Sequence, residues 1–246
     1  MTPLIHNYSK LAGRTVRWDT SDSEELYLKN IQNPDLRQRL DTLGFLDVPI
    51  EYQFNSHGFR TPEFDRPFDV VCFGCSFTMG TGIHAKDNWP SQLQELTGLQ
   101  IANLAHAGSS NDTAFRFAGY YLKLLRPQYA IWLQTDSHRI EIVDDYIPLS
   151  LNILASDTHN PCANDHYIKT WFSSDSNHRV NLQKNTLAFE HLCHSLNIKS
   201  IVLPRDNSMD RPFPTGTARD LLHPGADVYT KLAQQVKTML EGPAAV

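Results

Sequence analysis

The chain has 246 residues, of which 41% are hydrophobic and 10% aromatic, and its formal net charge is −5. This composition is typical of a globular protein with a sizeable core and argues against a disordered chain. Because the sequence has no run of Lys or Arg, it also argues against a nucleic acid or an anionic membrane surface as the main partner.

Membrane insertion and secretion are likewise not expected. No stretch approaches the ~20 apolar residues that a membrane-spanning helix needs. The first residues, MTPLIHNY, lack the charged n-region and the apolar h-region of a secretory signal. These features predict a cytoplasmic protein, or one carried within a larger particle, and they leave its oligomeric state open.

The N-terminal residues 1–65 are polar and irregular, and we interpret them as an extension packed on the main domain, 66–246. The extension contains a predicted helix over 23–46 and a short extended piece at 51–54. Residues dense in turn formers follow this piece and separate it from the domain.

From residue 68 onward, strands and helices alternate. Apolar runs predict buried strands at 68–74, 99–105, 129–134 and 198–204. Helical patterns follow them at about 89–96, 112–125, 180–196 and 224–240. The weakly periodic residues 136–178 are interpreted as an insertion at one end of the sheet. The alternation predicts an α/β protein whose parallel sheet carries helices on both faces and binds ligands at its carboxyl edge.

The cysteines are Cys72, Cys75, Cys162 and Cys193, and the first two form a C-x-x-C pair. Such a pair occurs in redox motifs and zinc sites. No second pair or H-x₃-H follows, however, and Cys72 lies within an apolar run, so we interpret the cysteines as structural thiols. The histidines show no ligand spacing, and no metal site is predicted.

The first candidate motif is GCSFTMG at 74–80, directly after the first predicted strand. A serine at a tight strand-to-helix turn presents its hydroxyl above the sheet, although Gly and Ser also serve such turns for geometry alone. The segment resembles the first block of the SGNH (GDSL-type) hydrolases, G-D-S-[LF]-[ST]-x-G. The resemblance implies that Ser76 is the nucleophile and that its N–H contributes to the oxyanion hole. Cys75 replaces the usual Asp, and its neighbours match the block only with Ser76 as nucleophile.

Two further blocks concern the oxyanion hole. NLAHAGSSND at 103–112 resembles the second block, which implies that Gly108 supplies a backbone N–H, while the same residues also suit a loop and helix cap. The third block, G-x-N-D, is replaced by LQTD at 133–136. Thr135 then occupies the Asn position, and Asn111 is a second candidate donor. Losing one such donor costs roughly 10²–10³ in rate.

Arg139 and Glu141 follow the third block closely. They could line the site, but we interpret them as an exposed ion pair.

The fourth block is D-x-x-H, and Asp220 and His223 match it before the last predicted helix. A turn brings residues three apart together, so the carboxylate can hold one imidazole nitrogen while the other faces the serine. A second D-x-x-H occurs at Asp175 and His178. It lies in the insertion ahead of a helix, where we interpret Asp175 as a cap.

The resemblance covers about 68–240 and implies a three-layer α/β/α sandwich with about five parallel strands in flavodoxin-like order. It further implies acyl transfer by Ser76, His223 and Asp220 without cofactor or metal. The family includes lipases, thioesterases, carbohydrate deacetylases and acyltransferases. Because 136–178 is polar, we favour a small-molecule or glycan ester, such as an O-acetyl sugar, as substrate.

Two alternatives remain open at the level of sequence. The missing G-x-N-D block is compatible with a non-catalytic binding or assembly module that retains the fold. However, a purely structural domain has no physical reason to keep Ser76, Asp220 and His223 together. An acyltransferase that uses the same triad is the second alternative, because sequence does not show whether water or another acceptor takes the acyl group.

Overall fold

A computed structural model describes residues 11–143, 150–153, 170–171, 173–205 and 217–242. The helices are α1 (Glu24–Gln32), α2 (Pro34–Thr42), α3 (Ser76–Met79), α4 (Trp89–Thr97), α5 (Asn111–Leu125), α6 (Asp175–Ser195) and α7 (Ala226–Glu241). The strands are β1 (Thr15–Val16), β2 (Tyr52–Gln53), β3 (Val70–Phe73), β4 (Ile101–Asn103), β5 (Tyr129–Leu133), β6 (Ile140–Val143), β7 (Ser150–Ile153) and β8 (Lys199–Leu203). None of these helices has the length and apolar character needed to cross a membrane.

The central sheet consists of four parallel strands in the order β4-β3-β5-β8. Val70 of β3 pairs with Ile101 of β4 on one side and with Tyr129 of β5 on the other. The chain therefore moves outward from β3 to β4 and then back across β3 to β5. This is the predicted parallel α/β arrangement in flavodoxin-like order. The sequence predicted about five strands, and the described residues contain four in this sheet.

Helices cover both faces of the sheet, as predicted. Alternate side chains of a strand point to opposite faces, so Val71 and Phe73 pack in one core and Val70 and Cys72 in the other. The first core is completed by side chains of α5 and α6, namely Phe117, Tyr121, Phe189 and Cys193. The second is completed by side chains of α4 and α7, namely Trp89, Leu93, Tyr229 and Val236. The result is a three-layer α/β/α sandwich.

The N-terminal region differs from the predicted single helix over 23–46, which is wrong. It forms two helices, α1 and α2, that meet at Asn33. Pro34 has no N–H to donate and disfavours helical backbone in the residue before it, so α1 ends there. The Asn33 side chain then caps α2 by accepting from the N–H groups of Asp35 and Leu36. Whether residues 1–65 form a separate extension stays a prediction.

The predicted insertion 136–178 is described only in part. Its first strand, β6, pairs antiparallel with β7, so that Ile140 lies opposite Ile153. The following helix, α6, begins at Asp175, five residues before the predicted start. Most of the remaining insertion, including Cys162, lies outside the described residues. Cys72, Cys75 and Cys193 are free thiols in buried positions.

Candidate active site

Ser76 lies at the carboxyl end of the central strand β3, at the point where the strand order reverses. It is the first residue of the short helix α3 and is buried. Gly74 makes the tight turn possible, because a Cβ at this position would lie 2.3 Å from Oγ1 of Thr78. The chain can therefore turn immediately after Phe73 and direct the Ser76 hydroxyl above the sheet edge.

His223 and Asp220 come from a compact turn before α7. The backbone N–H of Ala218 donates to the carbonyl of His223 across this turn, at 2.9 Å. Leu221 has φ +56°, a left-handed conformation that bends the chain between the two residues. Oδ1 of Asp220 accepts from the backbone N–H groups of Leu222 (2.9 Å) and His223 (3.0 Å). These bonds fix the orientation of the carboxylate.

The three predicted residues form one hydrogen-bonded chain. Nε2 of His223 lies 2.8 Å from Oγ of Ser76, and Nδ1 lies 2.6 Å from Oδ2 of Asp220. Asp220 is 2% exposed. Burial alone would raise the pKa of Asp220, but the hydrogen bond and charge of His223, with the Leu222 N–H and the Ser21 hydroxyl, hold the pKa below its ordinary value. The carboxylate therefore stays ionised at neutral pH.

Two residues of the N-terminal region reach this turn, and sequence reasoning missed both. The Ser21 hydroxyl donates to Oδ2 of Asp220 at 2.8 Å. Asp22 accepts from Nε and one terminal nitrogen of Arg219, at 2.9 and 2.7 Å. The residues around Ser21 and Asp22 form no motif, and almost 200 positions separate them from their partners. No signal in the single sequence could have identified these contacts.

Gly108 lies in the loop after β4, with φ +76°. A methyl group on its Cα would meet no atom within 4 Å, so the loop is open at this point. Among the described residues, none accepts a hydrogen bond from the Gly108 N–H. The predicted oxyanion role of this N–H stays a prediction.

The side chain of Asn111 makes a different contact from the predicted one. Its Nδ2 donates to the carbonyl of Thr135 at 3.1 Å, and its Oδ1 accepts from the Thr135 N–H at 3.0 Å. Asn111 therefore ties the start of α5 to the end of β5. This gives it a positioning contact, and an oxyanion role for Asn111 itself stays a prediction.

Thr135 is buried, and its hydroxyl makes no hydrogen bond of good geometry with the described residues. It lies close enough to influence the neighbouring thiol of Cys75. Burial would raise the pKa of Cys75, but the charge of Arg139, followed by the Thr135 hydroxyl and the Phe77 N–H, lowers the pKa below its ordinary value. Of the two predicted side-chain donors, Asn111 is already hydrogen-bonded, whereas the Thr135 hydroxyl has no acceptor of good geometry among the described residues.

The predicted exposed ion pair between Arg139 and Glu141 is wrong. Glu141 instead accepts from Nε and one terminal nitrogen of Arg116, at 2.8 and 2.7 Å. Arg139 pairs with Asp136 at 3.2 Å, and Arg205 contacts the same carboxylate. The planar guanidinium of Arg116 in α5 can donate to both oxygens of the Glu141 carboxylate at once, which favours this pair.

The second D-x-x-H segment is not connected to the site. Nδ1 of His178 lies 3.8 Å from Oδ1 of Asp175, and Nε2 lies 2.8 Å from the carbonyl of Trp171. Asp175 is not the cap of α6, as predicted, but its first residue. Ser174 is the cap, because its hydroxyl accepts from the Asn177 N–H. Elsewhere in the described ranges, no three His, Cys, Asp or Glu side chains are grouped closely enough to hold a metal ion.

No protein-family model and no curated protein matches the chain. Similar solved structures include a protein described as lipolytic and of the G-D-S-L family, from Desulfitobacterium hafniense DCB-2. That match has 13% identity and a TM-score of 0.44, and covers 68% of this chain and 97% of the other. Another is the acetyl xylan esterase Est2A from Butyrivibrio proteoclasticus, with 10% identity, a TM-score of 0.40 and coverage of 78% and 66%. The likeness concerns the fold alone.

Proposed function

We propose that the protein is a serine hydrolase that cleaves carboxylic esters, with Ser76 as nucleophile, His223 as general base and Asp220 as the residue that orients His223. The observation that carries this proposal is the hydrogen-bonded chain from Ser76 through His223 to Asp220, with distances of 2.8 and 2.6 Å. A nucleophile within hydrogen-bond reach of a base, itself held by a third group, is the arrangement that activates a serine.

The reaction follows from this geometry. Asp220 accepts from Nδ1–H of His223, so that Nε2 is unprotonated and can take the hydroxyl proton as Oγ of Ser76 attacks the ester carbonyl. The resulting imidazolium gives that proton to the leaving alcohol, and the acyl group remains on Ser76. Water then attacks the acyl-enzyme with His223 again as base, which releases the carboxylic acid and restores the serine.

The oxyanion that forms during each attack requires hydrogen-bond donors near Ser76. We assign this role to the backbone N–H groups of Ser76 and Gly108 and to the Thr135 hydroxyl. The open loop at Gly108 and the buried Thr135 hydroxyl without a good partner support the assignment. Asn111 contributes through its two hydrogen bonds to the Thr135 backbone, which hold that residue in place.

A small-molecule or glycan ester, such as an O-acetyl sugar, is the substrate class that we propose to test first. The polar character of residues 136–178 in the sequence supports a small acyl group over a long lipid chain. A non-catalytic binding module would have no need of an ionised, buried carboxylate bound to a histidine beside a serine. This arrangement therefore favours the hydrolase over that alternative.

The deciding experiment measures hydrolysis of p-nitrophenyl acetate and butyrate by the wild type and by Ser76→Ala. Ser91→Ala, a substitution in α4, serves as the matched control. We expect turnover by the wild type and the control, loss of turnover in Ser76→Ala, and fluorophosphonate labelling that maps to Ser76. A wild type that neither turns over nor labels would contradict the proposal and favour a binding module.

The same assay separates hydrolase from acyltransferase. When an alcohol acceptor is added, a hydrolase continues to release mainly free acid. An acyltransferase would instead form the new ester in preference to acid, because its acceptor site excludes water.

A further inference from the structure

The carboxylate of Asp220 accepts four hydrogen bonds, and one of them comes from a distant part of the chain. Oδ1 accepts from the backbone N–H groups of Leu222 and His223, which belong to the same turn. Oδ2 accepts from Nδ1 of His223 at 2.6 Å and from the Ser21 hydroxyl at 2.8 Å. Ser21 precedes Asp220 by 199 positions. The oxygen that holds the catalytic histidine is therefore shared with the N-terminal region.

Ser21 is held in place by residues on both sides of it. Asp19 and Asp22 exchange two backbone hydrogen bonds, at 3.0 and 3.1 Å, and so close a tight loop with Ser21 inside it. The Asp22 carboxylate is bound by Arg219 and accepts from the Tyr52 hydroxyl at 2.5 Å. This loop is anchored without the Ser21 hydroxyl.

We propose that Ser21 is a positioning residue of the active site, which acts on His223 mainly through Asp220. The Ser21 oxygen lies 2.8 Å from Oδ2 of Asp220 and 3.5 Å from Nδ1 of His223. This inference rests on the proposed function of the Ser76–His223–Asp220 chain. Because Oδ2 accepts from both donors, the Ser21 hydroxyl restrains rotation of the carboxylate away from Nδ1 of His223. Because Asp220 is buried, water does not readily replace a lost donor, so removal of the Ser21 hydroxyl leaves the carboxylate with one fewer hydrogen bond.

The role is distinct from a structural one because other groups anchor the N-terminal loop to the turn. Arg219 also donates to the carbonyl of Arg17 at 2.8 Å, and β1 pairs with β2. Removing only the Ser21 hydroxyl therefore leaves the loop in position. The effect is expected on the rate of the chemical step rather than on folding or on substrate binding.

The test compares Ser21→Ala, Ser21→Thr and Ser23→Ala in ester hydrolysis. Ser21→Ala is expected to lower kcat about tenfold while KM stays within about twofold, and Ser21→Thr, which keeps the hydroxyl, is expected to restore most of kcat. The Ser23 side chain caps α1 by accepting from the Leu26 N–H, and its hydrogen bond is to this helix rather than to Asp220. Ser23→Ala is therefore expected to lower the melting temperature and leave kcat unchanged.

Two further readouts separate this inference from the proposed function. The rate of fluorophosphonate labelling at Ser76 reports nucleophile activation without an ester substrate. The low-field proton resonance of Nδ1–H in His223 reports its hydrogen bond to Asp220 without any reaction. We expect Ser21→Ala to slow labelling and to shift this resonance in a folded protein.

The inference is overturned if Ser21→Ala keeps the wild-type kcat and labelling rate. If the wild type turns over no ester and does not label, the proposed function fails and the resonance decides about Ser21 alone. A shift on Ser21→Ala then supports the positioning contact, and an unchanged resonance overturns it.

Discussion

The chain contains two D-x-x-H segments with the same spacing, and the structure gives them different arrangements. In the first, Nδ1 of His223 lies 2.6 Å from a carboxylate oxygen of Asp220, and Nε2 faces Ser76. In the second, the corresponding distance between His178 and Asp175 is 3.8 Å, and Nε2 of His178 faces a backbone carbonyl. Spacing alone therefore does not make an acid–base pair.

The difference arises from the backbone and from burial. Asp175 begins the helix α6, so its side chain stands at the helix surface and is 89% exposed. An exposed carboxylate near a histidine contributes little, because water screens the interaction. Asp220 lies in a non-helical turn in which Leu221 has φ +56°, and the turn's own N–H groups fix the carboxylate. Burial and complete hydrogen bonding therefore distinguish this pair from the exposed one.

The largest expected effect comes from removing each histidine in turn. His223→Ala is expected to lower kcat/KM for p-nitrophenyl acetate by about 10⁴-fold or more, because the serine loses its base. His178→Ala is expected to leave kcat/KM within about twofold. Steady-state kinetics of both variants, with circular dichroism to confirm folding, make the measurement. Equal losses in the two variants would contradict the distinction between the segments.

The carboxylates provide the second test. Asp220→Asn is expected to lower kcat by about 10³–10⁴-fold with a smaller effect on KM, because an amide can donate to Nδ1 and so favour the wrong tautomer of His223. Asp175→Asn is expected to leave kcat unchanged. If Asp220→Asn retained more than a tenth of the wild-type kcat, Asp220 would not be the residue that orients His223.

The third effect concerns the free energy of unfolding and the buried ion pair beside Asp220. Asp22 and Arg219 are paired with side chains only 1% and 3% exposed, next to Asp220. Asp22→Ala leaves a buried guanidinium without its carboxylate, and is expected to lower the free energy of unfolding by about 3–5 kcal/mol. The control is Glu241→Gln, which breaks the exposed pair with Lys237 and should cost less than about 1 kcal/mol. Urea denaturation measures both, and similar losses would contradict the expectation.

The sequence predicted what depends on local patterns. The alternation of strands and helices predicted the parallel sheet, and the strand ends predicted where Ser76 and Asp220–His223 meet. The Ser21 contact could not be predicted, because it joins two segments that tertiary packing alone brings together. The partners of Arg139 and Glu141 could not be predicted for the same reason. Their proximity in sequence suggests an ion pair with each other, but tertiary packing brings Arg116 of α5 to Glu141 instead.

The single helix predicted over 23–46 is a different kind of error. The signal that divides it was present in the sequence as Asn33-Pro34, a capping residue followed by proline. The helical pattern on both sides of Asn33-Pro34 favours one continuous helix, and this local signal divides it. A physical rule was therefore available here, whereas none was available for Ser21.

The smallest expected effect comes from Asp19, in the same N-terminal loop that supports Asp220. Burial raises the pKa of Asp19 to about 6, although the charge of Arg60 opposes the shift. In the unfolded chain an aspartate titrates near pKa ~3.9. Between about pH 4 and pH 6 the folded protein therefore binds a proton that the unfolded chain has released. For this group, stability falls as pH rises through that range and stays lower above it.

Asp19→Asn removes this titration and is expected to raise the free energy of unfolding at pH 7 by about 2–3 kcal/mol, with little change at pH 4. Urea denaturation from pH 4 to pH 7 measures the difference in free energy of unfolding between variant and wild type. This difference reports the titration of Asp19 alone. Asp220 titrates in both proteins, and its lowered pKa makes stability fall as the pH drops. Asp175→Asn, at an exposed carboxylate, should change stability by no more than about 0.5 kcal/mol at any of these pH values. A variant curve parallel to that of the wild type would mean that Asp19 does not carry the raised pKa. In that case, the N-terminal loop would hold Ser21 against Asp220 without an electrostatic cost at neutral pH.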